Sequence, residues 1–552
     1  VTTSLQTQPS APVRPLTAVS LPGVAYFSME MAIDASLYVY SGGLGYLSGS
    51  HMLSAGKLGL PMVGVSILWK HGYGEQVINT NNEIEIQYKD RSFPFLQDTG
   101  VVVDVTLFGQ VVKVKGLRLP PEQFGTVPCY FLTTDLPENT PEQRQLCDKL
   151  YDSEEKARIC QEIILGVGGL RVLRAMGETI DKVHMNEGHA LPAAFELLRE
   201  SGQNFDDTRS KLYFTTHTPV AAGNETHNVD LLHDAGFFVE TSKEQAISLG
   251  GQDFSLTVAA LRLSKLANGV SQLHGEVANN MWNWVEGRCP ITAITNATSL
   301  SYWQDPRLAG KLTDEQLLAT KATMRQEMVD YVKQNTGVEL DPNVLTVVWA
   351  RRFTEYKRAD LIFKDMDRIK TLLQNKKIQL VFAGKFHPKD TWGKRTFNKV
   401  LALSKTLPGL AILPGYDLAM SGLLKRGADV WLNTPLRPLE ASGTSGMSAN
   451  FNAALHMSTD DGWAVEGTFH HHNGFLINHG VDMEYLPLEE RHQKDHECMM
   501  TLLEQEVIPT FYNDKATWVR LMRAAMATSA AYFDMDRMAL EYYTRLYTPA
   551  QL

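Results

Sequence analysis

The stretch GVAYFSMEMAIDASLYVYSGGLGYLSGSHMLSAGKLGLPMVGVSIL, residues 23–68, decides the fold. It opens on a short apolar and aromatic run (23–28), reaches a glycine cluster at Ser41-Gly42-Gly43-Leu44-Gly45, continues with helical spacing over 46–58 and closes on an apolar run over 60–68. Strand, glycine turn, helix and strand make a βαβ unit, which calls for a parallel sheet. Downstream, alternating runs at 101–105 and 111–114 predict a sheet insertion, followed by helices over 154–174 and 191–201 and strands over 182–185 and 212–216. A second α/β series starts near residue 340, with buried strands at 344–349, 379–383 and 428–432. The boundary between the two series falls between Pro290 and Asp341, where 295–303 reads as a connection and 314–334 as a polar helix; 516–547 has helical spacing and no strand signal. The expected division is a flexible tail (1–22), two Rossmann-like domains (23–300 and 301–515) and a C-terminal helical segment (516–552).

Composition narrows the function. The chain has 552 residues, 44% hydrophobic and 21% charged, and its 52 Lys+Arg against 62 Asp+Glu give a formal charge of −10. Nucleic acid and anionic membranes are therefore poor partners. The apolar run over 60–69 is too short to cross a bilayer. Five widely spaced cysteines (Cys129, Cys147, Cys160, Cys289, Cys498) fit neither a disulfide framework nor a paired-cysteine metal site, so free thiols in a cytoplasmic protein are expected.

Three segments at predicted strand ends carry candidate chemistry. The glycine cluster can aim backbone N–H groups at an anion, with the following helix start adding partial positive charge. The cations of Arg351-Arg352-Phe353-Thr354-Glu355-Tyr356-Lys357-Arg358 follow the strand at 344–349, and Lys385 follows the strand at 379–383. In open α/β sheets the carboxyl edge is where ligands bind, and these cations could neutralise phosphate. Finally, Glu440 with Ser442, Gly443 and Thr444 follows the strand at 428–432; its carboxylate can accept hydrogen bonds from sugar hydroxyls. His189 and His217 also follow strands. The run His470-His471-His472 reads as a loop, because three consecutive side chains diverge too much to share one ion; no metal is expected.

Taken together, Tyr26-Phe27-Ser28-Met29-Glu30, the glycine cluster, Asn186-Glu187-Gly188-His189, Thr216-His217-Thr218-Pro219-Val220, Leu273-His274-Gly275-Glu276-Val277, Glu355-Tyr356-Lys357-Arg358 and residues 439–447 closely resemble the bacterial α-glucan (glycogen, maltodextrin) phosphorylases, in the family's order from about residue 23 to 480. The resemblance implies an α/β GT-B fold, two Rossmann-like domains facing across a cleft, with a retaining glycosyl-transfer site and a possible homodimer. Position by position it makes Gly42, Gly43, Leu44, Arg352 and Lys357 phosphate binders, and it gives the transferred glucosyl unit to His189, Asn296, Glu440, Ser442 and Gly443.

Departures from the family pattern shape the functional expectation. Residues 295–298 read Thr-Asn-Ala-Thr where the family has Thr-Asn-Gly. Ser50 stands where many relatives have Asp. Most important, Gly446-Met447 is followed by Ser448, where the family's lysine holds pyridoxal phosphate as a Schiff base. Serine has no amine, so no covalent pyridoxal phosphate is expected. A nucleoside-diphosphate sugar would bring two phosphates to the same cations, with Ser448 reaching a ribose hydroxyl and Thr444 joining the donor-binding set. The leading expectation is a retaining hexosyltransferase that moves a glucosyl unit from a nucleotide sugar to a carbohydrate or small-molecule acceptor, with His189, Arg352, Lys357 and Glu440 as catalytic residues. The alternatives are an α-glucan phosphorylase and a non-catalytic glucan-binding homologue.

Overall fold

Parallel sheets need strands that are buried on both faces, and the computed structural model, which describes residues 21–220 and 223–548, contains two of them. The expected tail lies, except for its last two residues, outside the described residues. Contacts divide the chain into two units that are not contiguous in sequence. One runs up to Gly74 and adds Tyr88–Asn296 and the chain from Met535 onward; the other consists of Glu75–Gln87 and Ala297–Asp534.

The first unit carries a nine-stranded sheet: β1 (Val24–Phe27), β2 (Met62–Ile67), β3 (Gln97–Leu107), β4 (Gln110–Leu119), β5 (Cys129–Thr133), β6 (Lys182–Asn186), β7 (Leu212–Thr215), β8 (Leu266–Gly269) and β9 (Ile291–Ala293). Their order is β9-β8-β7-β6-β1-β2-β5-β4-β3. Seven are mutually parallel, and β3–β4 is an antiparallel hairpin at one edge, turned by Phe108 and Gly109, both at positive φ. The predicted βαβ unit is β1, the helix α1 (Gly43–Lys57) and β2, with Val24 opposite Met62. Strand order reverses beside β1: β2 lies on one side and β6 on the other.

The second unit has six parallel strands, β10 (Thr346–Ala350), β11 (Gln379–Ala383), β12 (Leu410–Leu413), β13 (Val430–Asn433), β14 (Leu455–Thr459) and β15 (Gly474–Ile477), in the order β12-β11-β10-β13-β14-β15. All six are fully buried, as their β-branched and aromatic content requires. Trp349, Phe353, Phe382 and Phe397 pack edge to face or stacked in the core below β10. Here the order reverses between β10 and β13.

Two expected boundaries are corrected. The domain limit near residue 300 is not a single crossing, because the Glu75–Ile78/Ile84–Gln87 hairpin belongs with the second unit: Gln76 Nε2 donates to Phe386 O at 2.7 Å and Ile84 N to Asn398 Oδ1 at 3.0 Å. Nor is 516–552 one segment. The helix Lys515–Tyr532 stays with the second unit, while Met535–Glu541 joins the first, where Asp536 accepts from Ser54 and pairs with Lys57 at 2.6 Å. Strands β5, β8, β9, β12, β14 and β15 are additional to the predicted set.

The approach of α1 to the loop after β1 requires glycine at position 49, since a Cβ there would lie 1.8 Å from Ala32 O; at Gly43 nothing lies within 4 Å. Gly49→Ala is therefore expected to lower the urea midpoint, by an overpacking cost of about 1–3 kcal/mol, while Gly43→Ala does not lower it. Circular dichroism of both variants checks this, and an unchanged midpoint for Gly49→Ala would contradict it.

Candidate active site

Both strand-order reversals gather chemistry at the carboxyl ends of their strands, where open α/β sheets bind ligands. In the first unit the segment after β1 carries Glu30, a buried carboxylate. Its Oε2 accepts from the N–H groups of Ser41 and Gly42, its two oxygens accept from Ser41 Oγ, and its Oε1 accepts from Tyr151 Oη at 2.8 Å. Gly45 must be glycine because a Cβ would lie 2.7 Å from Glu30 Oε2. The amides of Ser41 and Gly42 are therefore already engaged, and what remains for an anion is the start of α1 at Gly43 and Leu44, whose N–H groups have no intrahelical acceptor. At both Gly42 and Gly43 a Cβ would meet nothing within 4 Å, so packing does not demand glycine there and a ligand could approach closely.

The segment after β6 turns sharply at Glu187 (φ 73°), whose carboxylate accepts from Gly188 N, His217 N and Thr218 Oγ1. Asn186 Oδ1 accepts from His217 Nε2 at 2.7 Å. Beyond this turn the ring of His189 lies 5.6 Å from that of Tyr151, and its Nδ1 is buried with no partner. Burial, reinforced by the Arg158 guanidinium, holds the His189 pKa down at about 4, so the imidazole is neutral at pH 7 and can share a lone pair or a proton without carrying charge. Asn296, buried, presents an unpartnered Oδ1, while Arg537 ties down its carbonyl. Next to His189, Glu162, Glu225 and His227 cluster closely, but Arg158 already fills the cation role: its Nη2 meets Glu225 Oε2 at 2.9 Å.

In the second unit the reversal falls between β10 and β13. Arg351 leaves the end of β10 and donates from Nη2 to Glu440 Oε2 at 2.6 Å; Lys357 Nζ stands 3.5 Å from Glu440 Oε1. All three are largely buried. Arg351 retains two nitrogens, Nε and Nη1, that are buried without an acceptor. Although burial opposes its charge, Glu440 is held below the usual carboxylate range by Arg351 and Lys357. Burial and the neighbouring Arg351 pull Lys357 down to about 7. Gly443 (φ 87°) passes close under this pair; a Cβ there would lie 3.3 Å from Glu440 Cγ. Asp461 supports the loop from behind by accepting from Glu440 N at 2.9 Å, and burial raises its pKa to about 8. Ser442 Oγ is buried without a partner.

This arrangement changes the roles expected of individual residues. Of the adjacent arginines, Arg351 is buried against Glu440, whereas Arg352 is exposed, though near enough to lower the Lys357 pKa further. Arg358 is structural: its guanidinium bonds Thr434 O, Pro435 O and Asp495. Ser448 sits 1% exposed in the short helix Ser445–Asn450, and its hydroxyl donates back to Ser445 O at 3.1 Å; a ribose contact would have to displace that bond. Thr444 contributes a backbone carbonyl that accepts from Ser448. Glu30, Tyr151 and Asp461 went unassigned in the sequence reading, even though Glu30 lies inside a quoted motif; Arg351 was counted among the phosphate cations, but the resemblance gave the phosphate-binding role to Arg352 instead.

Two Rossmann-type parallel sheets, each with charged residues at its strand-order reversal, fit a GT-B-like fold. The carbohydrate phosphorylase family model matches residues 252–500. Over 96% of this chain and 70% of its own length, maltodextrin phosphorylase of Thermococcus litoralis is 34% identical. Glycogen phosphorylase of Mycobacterium tuberculosis is 33% identical over 97% of this chain and 72% of its own length. An uncharacterized protein of Methanocaldococcus jannaschii is 43% identical over 95% of this chain and 99% of its own length. The chain belongs to the carbohydrate phosphorylase family.

That family's pyridoxal phosphate can be tested against these residues. Ser448 offers no amine. Among the buried lysines of the same unit, Lys321 donates to three carbonyls (Arg426, Ala428 and Asn452), and Lys357 faces Glu440. Lys425 lies with its amine 3.4 Å from the Trp303 ring centroid. The residues present do not fit a Schiff base at position 448.

With a pKa near 7, Lys357 is charged below that pH and neutral above it. Affinity for an anionic substrate in the second unit should therefore fall as pH rises through about 7, seen as a rising KM for the anion between pH 6 and 9 with little change in kcat. Lys357→Arg should flatten that rise; an equally steep profile in the variant would remove Lys357 from the anion site.

Proposed function

We propose that this chain moves a glucosyl unit between an α-1,4-glucan and phosphate, as a phosphorylase whose chemistry rests on its own side chains and needs no covalently held pyridoxal phosphate. The observation that carries the reading is Arg351, which uses one nitrogen on Glu440 and keeps two buried and unpartnered. Buried polar hydrogens without acceptors are rare and costly, so a guanidinium held this way is a prepared seat for an anion. A phosphate there accepts from Arg351 and pairs with Lys357, while Glu440 accepts from hydroxyls of the sugar.

The bond changes balance without an added base. A phosphate oxygen bonds to C1 of the terminal sugar as the bond from C1 to the bridging oxygen breaks, and the proton that hydrogen phosphate carries passes to that departing oxygen. Positive charge develops at C1 and negative charge is redistributed over the phosphate; the fixed cation at Arg351 stabilises that distribution without reorganising, and Lys357 contributes to binding the phosphate. Retention of configuration at C1 belongs to this proposal.

The nucleotide-sugar donor first expected from Ser448 takes second place. Two of the three relatives are phosphorylases, and the Ser448 hydroxyl is turned onto its own helix. One experiment decides between them. Purified protein is incubated with maltodextrin and phosphate, assayed for hexose 1-phosphate, and in parallel with UDP-, ADP-, GDP- and dTDP-glucose, assayed for free nucleoside diphosphate. Sugar phosphate is the expected product. Nucleoside diphosphate in its place would install the nucleotide-sugar reading, and neither product, with glucan still raising Tm, would leave a binding protein.

Two further outcomes follow from the same geometry. Arg351→Ala should lower kcat/KM by about a hundred-fold or more, as the loss of a preorganised charge-stabilising donor does, while the folded circular dichroism spectrum persists. Borohydride treatment of protein produced with pyridoxal phosphate in the medium should trap no adduct; a stoichiometric pyridoxyl-lysine would overturn the cofactor statement.

A further inference from the structure

The histidine run left aside as a loop takes a definite form in the second unit. Between the short helix Ala464–Gly467 and β15 the chain folds back on itself: Phe469 N donates to Asn473 Oδ1, His472 N and Asn473 N donate to Phe469 O, and His471 N donates to Gly474 O at 2.9 Å. His471 adopts φ 63°, a left-handed conformation that costs a non-glycine residue energy. The consequence is that consecutive side chains no longer diverge. The His470 and His471 rings lie 3.7 Å apart, while His472 turns toward Phe469. Across from them, Glu506, on the π-helical turn Leu503–Val507, meets His471 Nε2 directly. One ligand atom from each of His470, His471 and Glu506 lies within 4.8 Å of the others.

Neutral imidazoles beside a carboxylate are the donor set that binds zinc-like ions, with water completing four-fold coordination. Tetrahedral ligation places donor atoms about 3.3 Å apart, from metal–ligand distances near 2.0–2.1 Å; rotation of the exposed His471 and the partly exposed Glu506 closes the remaining gap. Coordination by His470 gives up the bond its Nδ1 receives from Leu476 N at 3.0 Å. No arginine or lysine is bonded to these three groups among the described residues, in contrast to the Glu162/Glu225/His227 cluster, which Arg158 already neutralises.

We infer that His470, His471 and Glu506 form a site for one divalent transition-metal ion of the zinc class, which clasps the 468–473 loop to the turn Leu503–Val507. The inference is independent of the proposed phosphorolysis, since none of these residues belongs to the cluster around Glu440.

The test uses the full chain, stripped with chelator and titrated with Zn²⁺ by calorimetry. One saturable ion per chain in the micromolar range is expected, with a Zn²⁺-dependent rise in Tm. His471→Ala and Glu506→Gln should each weaken binding by at least the roughly ten-fold that even an outer-shell partner of a metal site is worth and should abolish the Tm rise. His472→Ala should bind as the parent does. The site is refuted if Zn²⁺ does not saturate in that range, if Glu506→Gln binds unchanged, or if His472→Ala weakens binding as much as His471→Ala, since a freely chelating histidine tract would do the last.

Discussion

A buried arginine bonded to a buried glutamate, Arg351 to Glu440 at 2.6 Å, is the constraint around which the second unit's strand ends are built. Withdrawing either charge from water alone costs several kcal/mol, and the pair offsets that cost only if its geometry is good and the remaining valences are filled. On the carboxylate side they are: Lys357 approaches the second oxygen, and the backbone of Glu440 is anchored by Asp461. The loop follows from this requirement. Gly443 passes beneath the pair at φ 87°, and Gly462 at φ 57° lets Asp461 come up behind it, where a Cβ would lie 2.4 Å from Ser442 O. On the arginine side the valences are left open, with Nε and Nη1 buried and without an acceptor. Arg325 with Asp429, equally well shielded, shows the closed alternative: its Nε and Nη2 share Asp429 and its Nη1 takes Pro342 O.

The first unit solves a related problem with the opposite sign. Glu30 is buried and has no cation bonded to it among the described contacts; N–H and O–H donors from Ser41, Gly42 and Tyr151 surround it instead. A carboxylate satisfied by backbone donors fixes the path of those donors, so Glu30 sets the entry angle of α1. The glycine turn therefore works less as a cradle of consecutive amides than as a lever. Its first two amides are spent on Glu30, and only the helix start beyond them faces outward. This restricts any anion held there to the first turn of α1, where the helix dipole is strongest.

Much of this could be read from the chain before any coordinates. A glycine turn between apolar runs specifies a βαβ unit, and polar residues after buried strands must lie at carboxyl edges, which places Glu440, Lys357 and His189 correctly as strand-end groups. What escaped has a common cause. Once a strand leaves its sheet, side-chain alternation no longer says which of two neighbouring residues turns inward, so Arg351 and Arg352 could not be told apart. A four-residue amphipathic strand such as Glu75–Ile78 shows that it pairs but not which sheet it accompanies; Gln76 reaches Phe386, 310 positions away. The histidine run was judged by the divergence of successive side chains, a rule that holds for ordinary backbone and fails when one residue takes a positive φ.

The place of Ser448 also becomes intelligible in physical terms. The helix Ser445–Asn450 is located by contacts that do not involve the side chain at 448. Gly446 lies flat on the stacked rings of His456 and Trp463, where a Cβ would come within 2.8 Å of both, and Trp431 Nε1 donates to Ser445 Oγ at 3.1 Å. Asn452 then fastens the far end by donating from one Nδ2 to Trp303 O and Ser448 O. The helix start is positioned by this scaffold, so the side chain at 448 is not what holds it in place. The place of the helix thus depends on Gly446, on the rings of Trp431, His456 and Trp463 and on Asn452, residues in or flanking β13 and β14, and not on the side chain at 448.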